Sequence, residues 1–175
     1  MCGRLVVPRK SKILSSFSLD AVGKFAPEIP SEEEHHPGDI VPVIVLKDSK
    51  KILTGMKWGF GEVYNTRVES LDKLFWRDAY ENHRAIFPIE RFFERRWFSE
   101  KDNLLAGAAI WRYRTYRGMK IREVSLLTQP STEVVSKHHP RMPLLIPKKE
   151  IVSWMSKDKS AKDFTGVDEL EIEYI

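Results

Sequence analysis

Cysteine is almost absent from this sequence. Cys2 is the only one among 175 residues. A single thiol excludes an internal disulfide and a cysteine-rich zinc or iron–sulfur site, and such a composition is typical of a reducing compartment. The thiol is therefore either incidental or used in chemistry. Its position directly behind the initiator methionine makes this the first question to answer.

Long apolar runs and targeting features are also missing. The sequence has no run of about 18 apolar residues, the length that predicts a membrane-spanning helix. Its N-terminus lacks the charged start, apolar stretch and small-residue cleavage site of a signal peptide. We therefore expect a cytoplasmic protein without membrane contact, associated with the nucleoid if it binds DNA.

The residues that are present predict one globular domain. Hydrophobic residues make up 42% and aromatic residues 11% of the chain, which is enough to bury a core. No repeat, low-complexity tract or linker divides the chain, so we predict a single domain over residues 1–175 and a monomer without a cofactor. The formal net charge of +4 is compatible with a polyanionic partner but does not identify one.

Strand patterns outnumber helix patterns. We predict helices over 8–18, 69–84, 131–139 and 148–156, and a loop over 23–39. Because the strands cluster without regular βαβ alternation, we predict an α+β fold with a mostly antiparallel, barrel-like sheet. Pro42 indicates that its strand lies at a sheet edge, and the turn after Arg117 predicts a hairpin. The predicted strands cover 1–7, 40–47, 85–98, 104–116, 121–128, 141–147 and 169–175.

Cys2 becomes unusual once Met1 is removed. For an arbitrary single cysteine, a small apolar side chain in a strand is the more frequent role. At the N-terminus, however, the residue carries both an α-amine and a thiol, and these together can close a five-membered thiazolidine ring on an aldehyde. Reference pKa values of about 7.7 to 8.0 for the amine and about 8.5 for the thiol leave usable fractions of both reactive forms near neutral pH.

Three classes of function fit such a terminus. An N-terminal-nucleophile amidase or peptidase attacks an amide with the thiolate and uses the α-amine as base. An aldehyde-trapping protein forms a Schiff base with the amine and captures it with the thiol. A non-covalent single-stranded DNA-binding module leaves Cys2 inert.

Six short motifs occur in one order along most of the chain: MCGR at 1–4, WG at 58–59, NTRVES at 65–70, FWRDAY at 75–80, FFE at 92–94 and HPRMP at 139–143. In this order they resemble the SRAP family of SOS-response-associated, abasic-site-processing proteins. The resemblance implies a protein that recognises abasic sites in single-stranded DNA and joins Cys2 to the ring-opened deoxyribose as a thiazolidine, which shields the lesion. It also implies possible AP-lyase and self-processing peptidase activity.

The resemblance assigns four catalytic roles. Cys2 matches the nucleophile, and Asn65 matches an amide that holds the reacting terminus and the sugar oxygen in register. Glu94 matches a carboxyl that moves protons during ring opening, and His139 matches the histidine that acts as acid and base. Taken alone, Asn65 would more often form an Asx turn or helix cap, Glu94 would be a surface residue, and a lone histidine would be solvated. His138 is the competing histidine, but the two-residue offset from Arg141 selects His139.

The same resemblance implies a DNA-binding rim. Trp58 would offer a wedge or stacking surface beside the lesion, although for this residue alone a core aromatic is the stronger interpretation. The phosphate contacts would come from Arg4, Arg67, Arg84 and Arg141.

The rim also departs from the family pattern. Glu34 stands where relatives commonly carry an amide, which brings a negative charge close to DNA. The loop from Gly61 to Asn65 is short, and Pro140 replaces an acidic residue. The two adjacent histidine pairs at 35–36 and 138–139 lack the i,i+4 spacing of a metal site, so we expect no metal.

Overall fold

The computed structural model of the protein describes residues 2–28, 33–167 and 169–173. Parts of the predicted loop over 23–39 and of the predicted strand over 169–175 lie outside the described residues. Helices are few and short, and strands dominate. The strands are β1 (Leu5–Val6), β2 (Ala21–Val22), β3 (Glu34–His35), β4 (Ile40–Lys47), β5 (Lys50–Trp58), β6 (Asn65–Arg67), β7 (Arg84–Ile89), β8 (Arg91–Phe93), β9 (Trp97–Ser99), β10 (Leu105–Tyr116), β11 (Met119–Pro130), β12 (Arg141–Pro143) and β13 (Glu171–Glu173).

Five of these strands close into a barrel. The order β5-β4-β7-β10-β11 is antiparallel at each step, and a parallel pairing of β11 with β5 completes the ring. This pairing brings Val124 opposite Trp58. The predicted α+β fold with a mostly antiparallel, barrel-like sheet is confirmed.

A second, smaller sheet has the order β13-β9-β8-β1-β3 and is antiparallel throughout. β1 lies between β3 and β8, with Leu5 opposite both His35 and Phe92. The backbone N–H of Phe93 also donates to the carbonyl oxygen of Arg4 at 3.1 Å. The start of the chain is therefore held next to the segment that carries the FFE motif.

The side chains of the barrel strands pack into two cores. Along β7, Phe87 and Ile89 enter the cluster that also contains Cys2 and Trp58, whereas Ile86 enters the cluster on the other face. Strand alternation produces this division, because successive side chains point to opposite faces. Fully burying a side chain of this size stabilises the fold by about 1.5–3 kcal/mol.

Three of the four short α-helices in the described residues cover the second core, and the third in chain order packs against the first core through Val135. The predicted helix over 69–84 is split: a 3₁₀ turn spans Val68–Ser70, and Lys73 is extended (φ −67°, ψ 145°) before the α-helix begins. Its buried residues are Trp76 and Ala79, whereas Leu74 and Phe75 are exposed. The helices are α1 (Lys10–Phe17), α2 (Leu74–Asn82), α3 (Glu133–Ser136) and α4 (Ile151–Met155).

Two other strand expectations met different outcomes. The hairpin of β10 and β11 is confirmed, and its tip places Arg117 and Gly118 at φ 47° and 77°, which suits a two-residue turn. The edge position of Pro42 is wrong, because β4 lies between β5 and β7. Pro42 is tolerated there because β7 pairs with β4 only at Ile44 and Val45.

Within the described ranges, no helix has the length and apolar character needed to cross a membrane.

Candidate functional site

Cys2 lies in the first core cluster with no exposed surface. Its thiol is 3.9 Å from the carbonyl oxygen of Arg4. Burial raises the pKa of the Cys2 thiol well above its usual range, and the nearby carboxylate of Glu94 raises this pKa further. The thiol is therefore held in its neutral form at neutral pH.

Asn65 binds Cys2 directly. Strand β6 runs parallel to β11, with Asn65 opposite Leu126, and this pairing fixes the position of the amide. Its Nδ2 donates a hydrogen bond of 2.7 Å to the carbonyl oxygen of Cys2. Within the described part of the chain, the buried Oδ1 of Asn65 has no hydrogen-bond partner. The amide thus presents an unused acceptor beside Cys2.

Glu94 lies at the turn between β8 and β9. Arg95 adopts φ 64° in this turn, and the N–H of Glu94 donates to the carbonyl oxygen of Arg96 at 2.9 Å. The carboxyl is only 5% exposed. Burial raises the pKa of Glu94, and the charge of His139 acts in the opposite direction. Glu94 is therefore a carboxyl that binds a proton more readily than an exposed glutamate.

His139 is the histidine that faces Glu94. Its Nδ1 lies 3.2 Å from Oε2 of Glu94. The same nitrogen is 3.1 Å from the backbone N–H of Arg141 and 2.8 Å from its carbonyl oxygen, so the protonation state of the ring decides which contact is a hydrogen bond. His138, the competing assignment, packs its ring against Phe98 at a centroid distance of 5.8 Å.

The structure thus brings Cys2, Asn65, Glu94 and His139 together from four separate parts of the chain. The arrangement combines the neutral thiol of Cys2, the amide of Asn65 that binds the Cys2 backbone, and the carboxyl–imidazole pair of Glu94 and His139. Such a pair can exchange protons with a substrate bound at Cys2.

Arg4 directly precedes β1 and lies beside this cluster. Its guanidinium lies 4.3 Å from the ring centre of Phe93 and 5.4 Å from that of Trp97. It also pairs with both carboxylate oxygens of Glu34 at 2.9 to 3.1 Å. Glu34 departs from the family pattern in the sequence. In the structure it forms an ion pair with Arg4, the arginine that was predicted to bind a phosphate.

Arg141 is held in a similar way. Its guanidinium pairs with Glu69, with Nη2 to Oε2 at 3.0 Å, and donates to the carbonyl oxygen of Thr128 at 2.6 Å. Arg67 is exposed on the adjoining strand, and its charge contributes to the lowered pKa of Glu69, whose main cause is the hydrogen bond from Arg141. The roles of Glu69 and Thr128 as partners of Arg141 are not visible in the sequence.

Two other predicted DNA contacts are engaged within the fold. Trp58 is fully buried, and its Nε1 donates to the carbonyl oxygen of Tyr64 at 3.1 Å. Its ring has no exposed face on which a base could stack. Trp58 is therefore a core aromatic residue, as the second interpretation of the sequence had it. Arg84 stacks on Tyr80 and Trp154 and donates to the carbonyl oxygen of Lys159 at 2.6 Å. Burial lowers the pKa of Arg84, and the residue helps to fasten α4 to the barrel.

In residues 2–28, 33–167 and 169–173, no group of three or more His, Cys, Asp or Glu side chains is arranged to hold a metal ion. His35 instead packs in the smaller sheet, where its Nδ1 lies 3.1 Å from the carbonyl oxygen of Glu33.

Comparison with known proteins gives consistent results. The family model for SOS response associated peptidase (SRAP) matches residues 1–171. Two relatives from Bacillus subtilis strain 168, the abasic site processing proteins YoqW and YobE, are each 23% identical over 94% of this chain, and the matches cover 84% and 86% of their lengths.

Solved structures share the fold. A protein from Bacteroides thetaiotaomicron superposes with a TM-score of 0.83 at 16% identity, covering 98% of this chain and 90% of the other. A phage-related protein from Bordetella bronchiseptica gives a TM-score of 0.71 at 15% identity, covering 98% and 94%.

Proposed function

The chain belongs to the SOS response associated peptidase (SRAP) family, and from this premise we propose that it processes abasic sites in single-stranded DNA. Cys2, exposed as the N-terminal residue by removal of Met1, forms a thiazolidine with the ring-opened deoxyribose. The crosslink covers the lesion and shields it from strand cleavage. The names of the two Bacillus relatives support the abasic site as the target.

One observation carries the proposal. Asn65 binds the carbonyl oxygen of Cys2 at 2.7 Å, while the Glu94–His139 pair, at 3.2 Å, lies close enough to Cys2 for Glu94 to raise the pKa of its thiol. A nucleophile, a residue that positions it and a proton-exchanging pair are all needed for reaction with a sugar aldehyde. All four match the positions that the family resemblance assigns.

The proposed reaction consumes an aldehyde and releases water. The α-amine of Cys2 adds to the C1′ aldehyde, and loss of one water gives an imine. The thiol sulfur then adds to the imine carbon, which closes the five-membered ring, and the thiol proton passes to the nitrogen. One aldehyde and one aminothiol give one thiazolidine and one water, so no oxidant or reductant is required.

Glu94 and His139 supply the proton transfers. Opening of the deoxyribose ring needs a base at the C1′ hydroxyl and an acid at the ring oxygen. The raised pKa of Glu94 lets this carboxyl hold a proton closer to neutral pH, and His139 can exchange that proton. The Oδ1 of Asn65 is suited to accept a hydrogen bond from the amine or from the sugar hydroxyl.

The state of the thiol argues against the amidase or peptidase alternative. A cysteine peptidase needs the thiolate as its nucleophile, and burial of Cys2 holds its thiol neutral. In thiazolidine formation the amine reacts first, so a neutral thiol is no obstacle. The non-covalent binding alternative gives no chemical role to Asn65, which binds the Cys2 carbonyl oxygen, or to the Glu94–His139 pair.

Intact mass spectrometry tests the proposal. The Met-processed protein is incubated with a single-stranded oligonucleotide that carries one abasic site, beside undamaged DNA and the Cys2→Ala variant. We expect an adduct, resistant to borohydride, whose mass is that of protein plus DNA minus one water, and which needs both the lesion and Cys2. An equal yield of crosslink from Cys2→Ala would overturn the proposal.

A further inference from the structure

A second group of cations and aromatic rings lies at the far end of the β10–β11 hairpin. We define the hairpin patch as Lys24, Phe25, Tyr113, Lys120 and Arg122. Phe25 is 64% exposed and Tyr113 is 49% exposed, so two aromatic rings lie at the surface beside three cations.

The hairpin geometry places three of these side chains on one face. Tyr113 is the register partner of Arg122, and Lys120 lies two residues before Arg122 on the same strand, so all three point the same way. The ammonium of Lys120 is 4.0 Å from the ring centre of Tyr113, and the guanidinium of Arg122 is 5.2 Å from that of Phe25. Lys24 approaches the same Phe25 ring at 5.8 Å.

The patch also borders a recess. A cavity of about 410 Å³ opens beside it, lined by Phe25, Ile40, Met56, Lys120 and Arg122 among others. Cations and rings therefore surround a concave surface and not a flat one.

The cations of the patch differ from the rim arginines in their ion pairing. Among the described residues, no carboxylate lies within ion-pair distance of Lys24, Lys120 or Arg122. The rim arginines Arg4 and Arg141 differ, since each already pairs with a glutamate. Within the described chain, the three patch cations are therefore available to an anionic ligand.

We propose that the hairpin patch binds single-stranded DNA that flanks the nucleotide held at Cys2. Uncompensated cations suit phosphates, and exposed rings between them suit unpaired bases, which stack on aromatic side chains without sequence preference. An acidic protein surface would satisfy the cations but would leave the exposed rings unused. The proposal rests on the proposed function only for the choice of DNA as ligand.

The distance between the Cys2 cluster and the hairpin patch can be spanned by one continuous DNA strand. Leu126 pairs with Asn65, and Arg122 and Lys120 precede it by four and six residues on β11. This separation is roughly 13 to 20 Å along the strand. At about 3.4 Å per stacked nucleotide, the distance corresponds to about four to six nucleotides, within the range of known single-strand sites.

Binding of undamaged single-stranded DNA tests the proposal independently of any adduct. Fluorescence anisotropy with a labelled oligonucleotide of about 16 nucleotides is measured over a series of salt concentrations. The double variant Lys120→Ala/Arg122→Ala is compared with Lys47→Ala/Lys50→Ala. The two control lysines are exposed and face each other across the β4–β5 turn. Their substitution removes the same amount of positive charge as the patch variant does.

The two double variants should behave differently. Losing two phosphate contacts should make the slope of log affinity against log salt less steep by about 1.4, while the control slope stays closer to that of the wild type. Tyr113→Ala should lose about tenfold in affinity and Tyr113→Phe should retain it, because the ring provides the stacking surface. Thermal melting of every variant verifies folding.

If both double variants changed the salt slope equally, the patch would contribute only nonspecific positive charge, and the proposal would be overturned. An unchanged affinity in Tyr113→Ala would also overturn it. Because this DNA carries no lesion, a failure of the thiazolidine chemistry would appear only in the mass spectrometry and not here.

Discussion

The side-chain amide of Asn65 donates a hydrogen bond of 2.7 Å to the carbonyl oxygen of Cys2. The two residues are 63 positions apart, and both are buried. The contact fixes the backbone of Cys2 through its carbonyl oxygen and engages neither its thiol nor its backbone nitrogen.

Replacement of Asn65 should weaken both the fold and the reaction. Asn65→Ala leaves the buried carbonyl oxygen of Cys2 without its donor, which should lower the free energy of unfolding by about 1–3 kcal/mol. Urea unfolding measures this loss, and gel analysis over time measures the rate of adduct formation. Asn65→Asp, which keeps the shape but removes the Nδ2 donor, should also slow the reaction. A wild-type rate in both variants would show that the hydrogen bond is not needed.

The Cys2 thiol should resist alkylation in the native protein. Because burial raises its pKa, the thiolate fraction at about pH 8.5, the usual midpoint for cysteine, should be small. Iodoacetamide labelling followed by mass spectrometry should be slow in buffer and fast in urea. Glu94→Gln removes one cause of the raised pKa and should speed native labelling. Equal rates in buffer and urea would contradict a buried, neutral thiol.

Glu94 should make stability depend on pH. A carboxyl whose pKa is raised on folding favours the folded state most below its unfolded pKa of about 4.3, and this contribution is lost as pH rises through the folded pKa. The stability of the wild type relative to Glu94→Gln should therefore fall between about pH 4 and neutral pH. Urea titrations at several pH values measure the difference, and a constant difference would contradict the raised pKa.

Glu34 should restrain DNA binding by occupying Arg4. Their side chains are 38% and 41% exposed, so the pair adds little to stability, about 0–1 kcal/mol. Glu34→Gln should free Arg4 for a phosphate, which tightens binding to undamaged single strands and steepens the salt slope by about 0.7. Glu28→Gln, at an exposed carboxylate that pairs with Lys10, is the matched control. Unchanged affinity in Glu34→Gln would mean that Arg4 does not contact DNA.

The sequence predicted local features better than long-range contacts. Alternation and the turn residues identified the β10–β11 hairpin, since both signals lie within a few residues. The interruption at Lys73 was missed because the helical spacing of Leu71, Leu74 and Phe75 continues across it. The strand at Lys50–Trp58 was also not predicted, although it forms the closing contact of the barrel.

The candidate site shows the same division. The resemblance selected Asn65, Glu94 and His139, and each lies at the Cys2 cluster. The partners of the rim arginines could not be predicted, because Glu34 and Glu69 reach Arg4 and Arg141 only through the folded chain, 30 and 72 residues away in sequence. For Trp58, the motif suggested a surface role, but position in the barrel decided its burial.

The location of β1 has a mechanical consequence for a protein joined to DNA through Cys2. β1 is two residues long and belongs to the smaller sheet, outside the closed ring of barrel strands. A motor enzyme that pulled on the attached DNA would load β1 and its short pairings with β3 and β8 first. The short pairings of β1 should therefore open before the longer barrel strands do, and the hydrogen bond from Asn65 to Cys2 is the direct link through which the pull reaches β11.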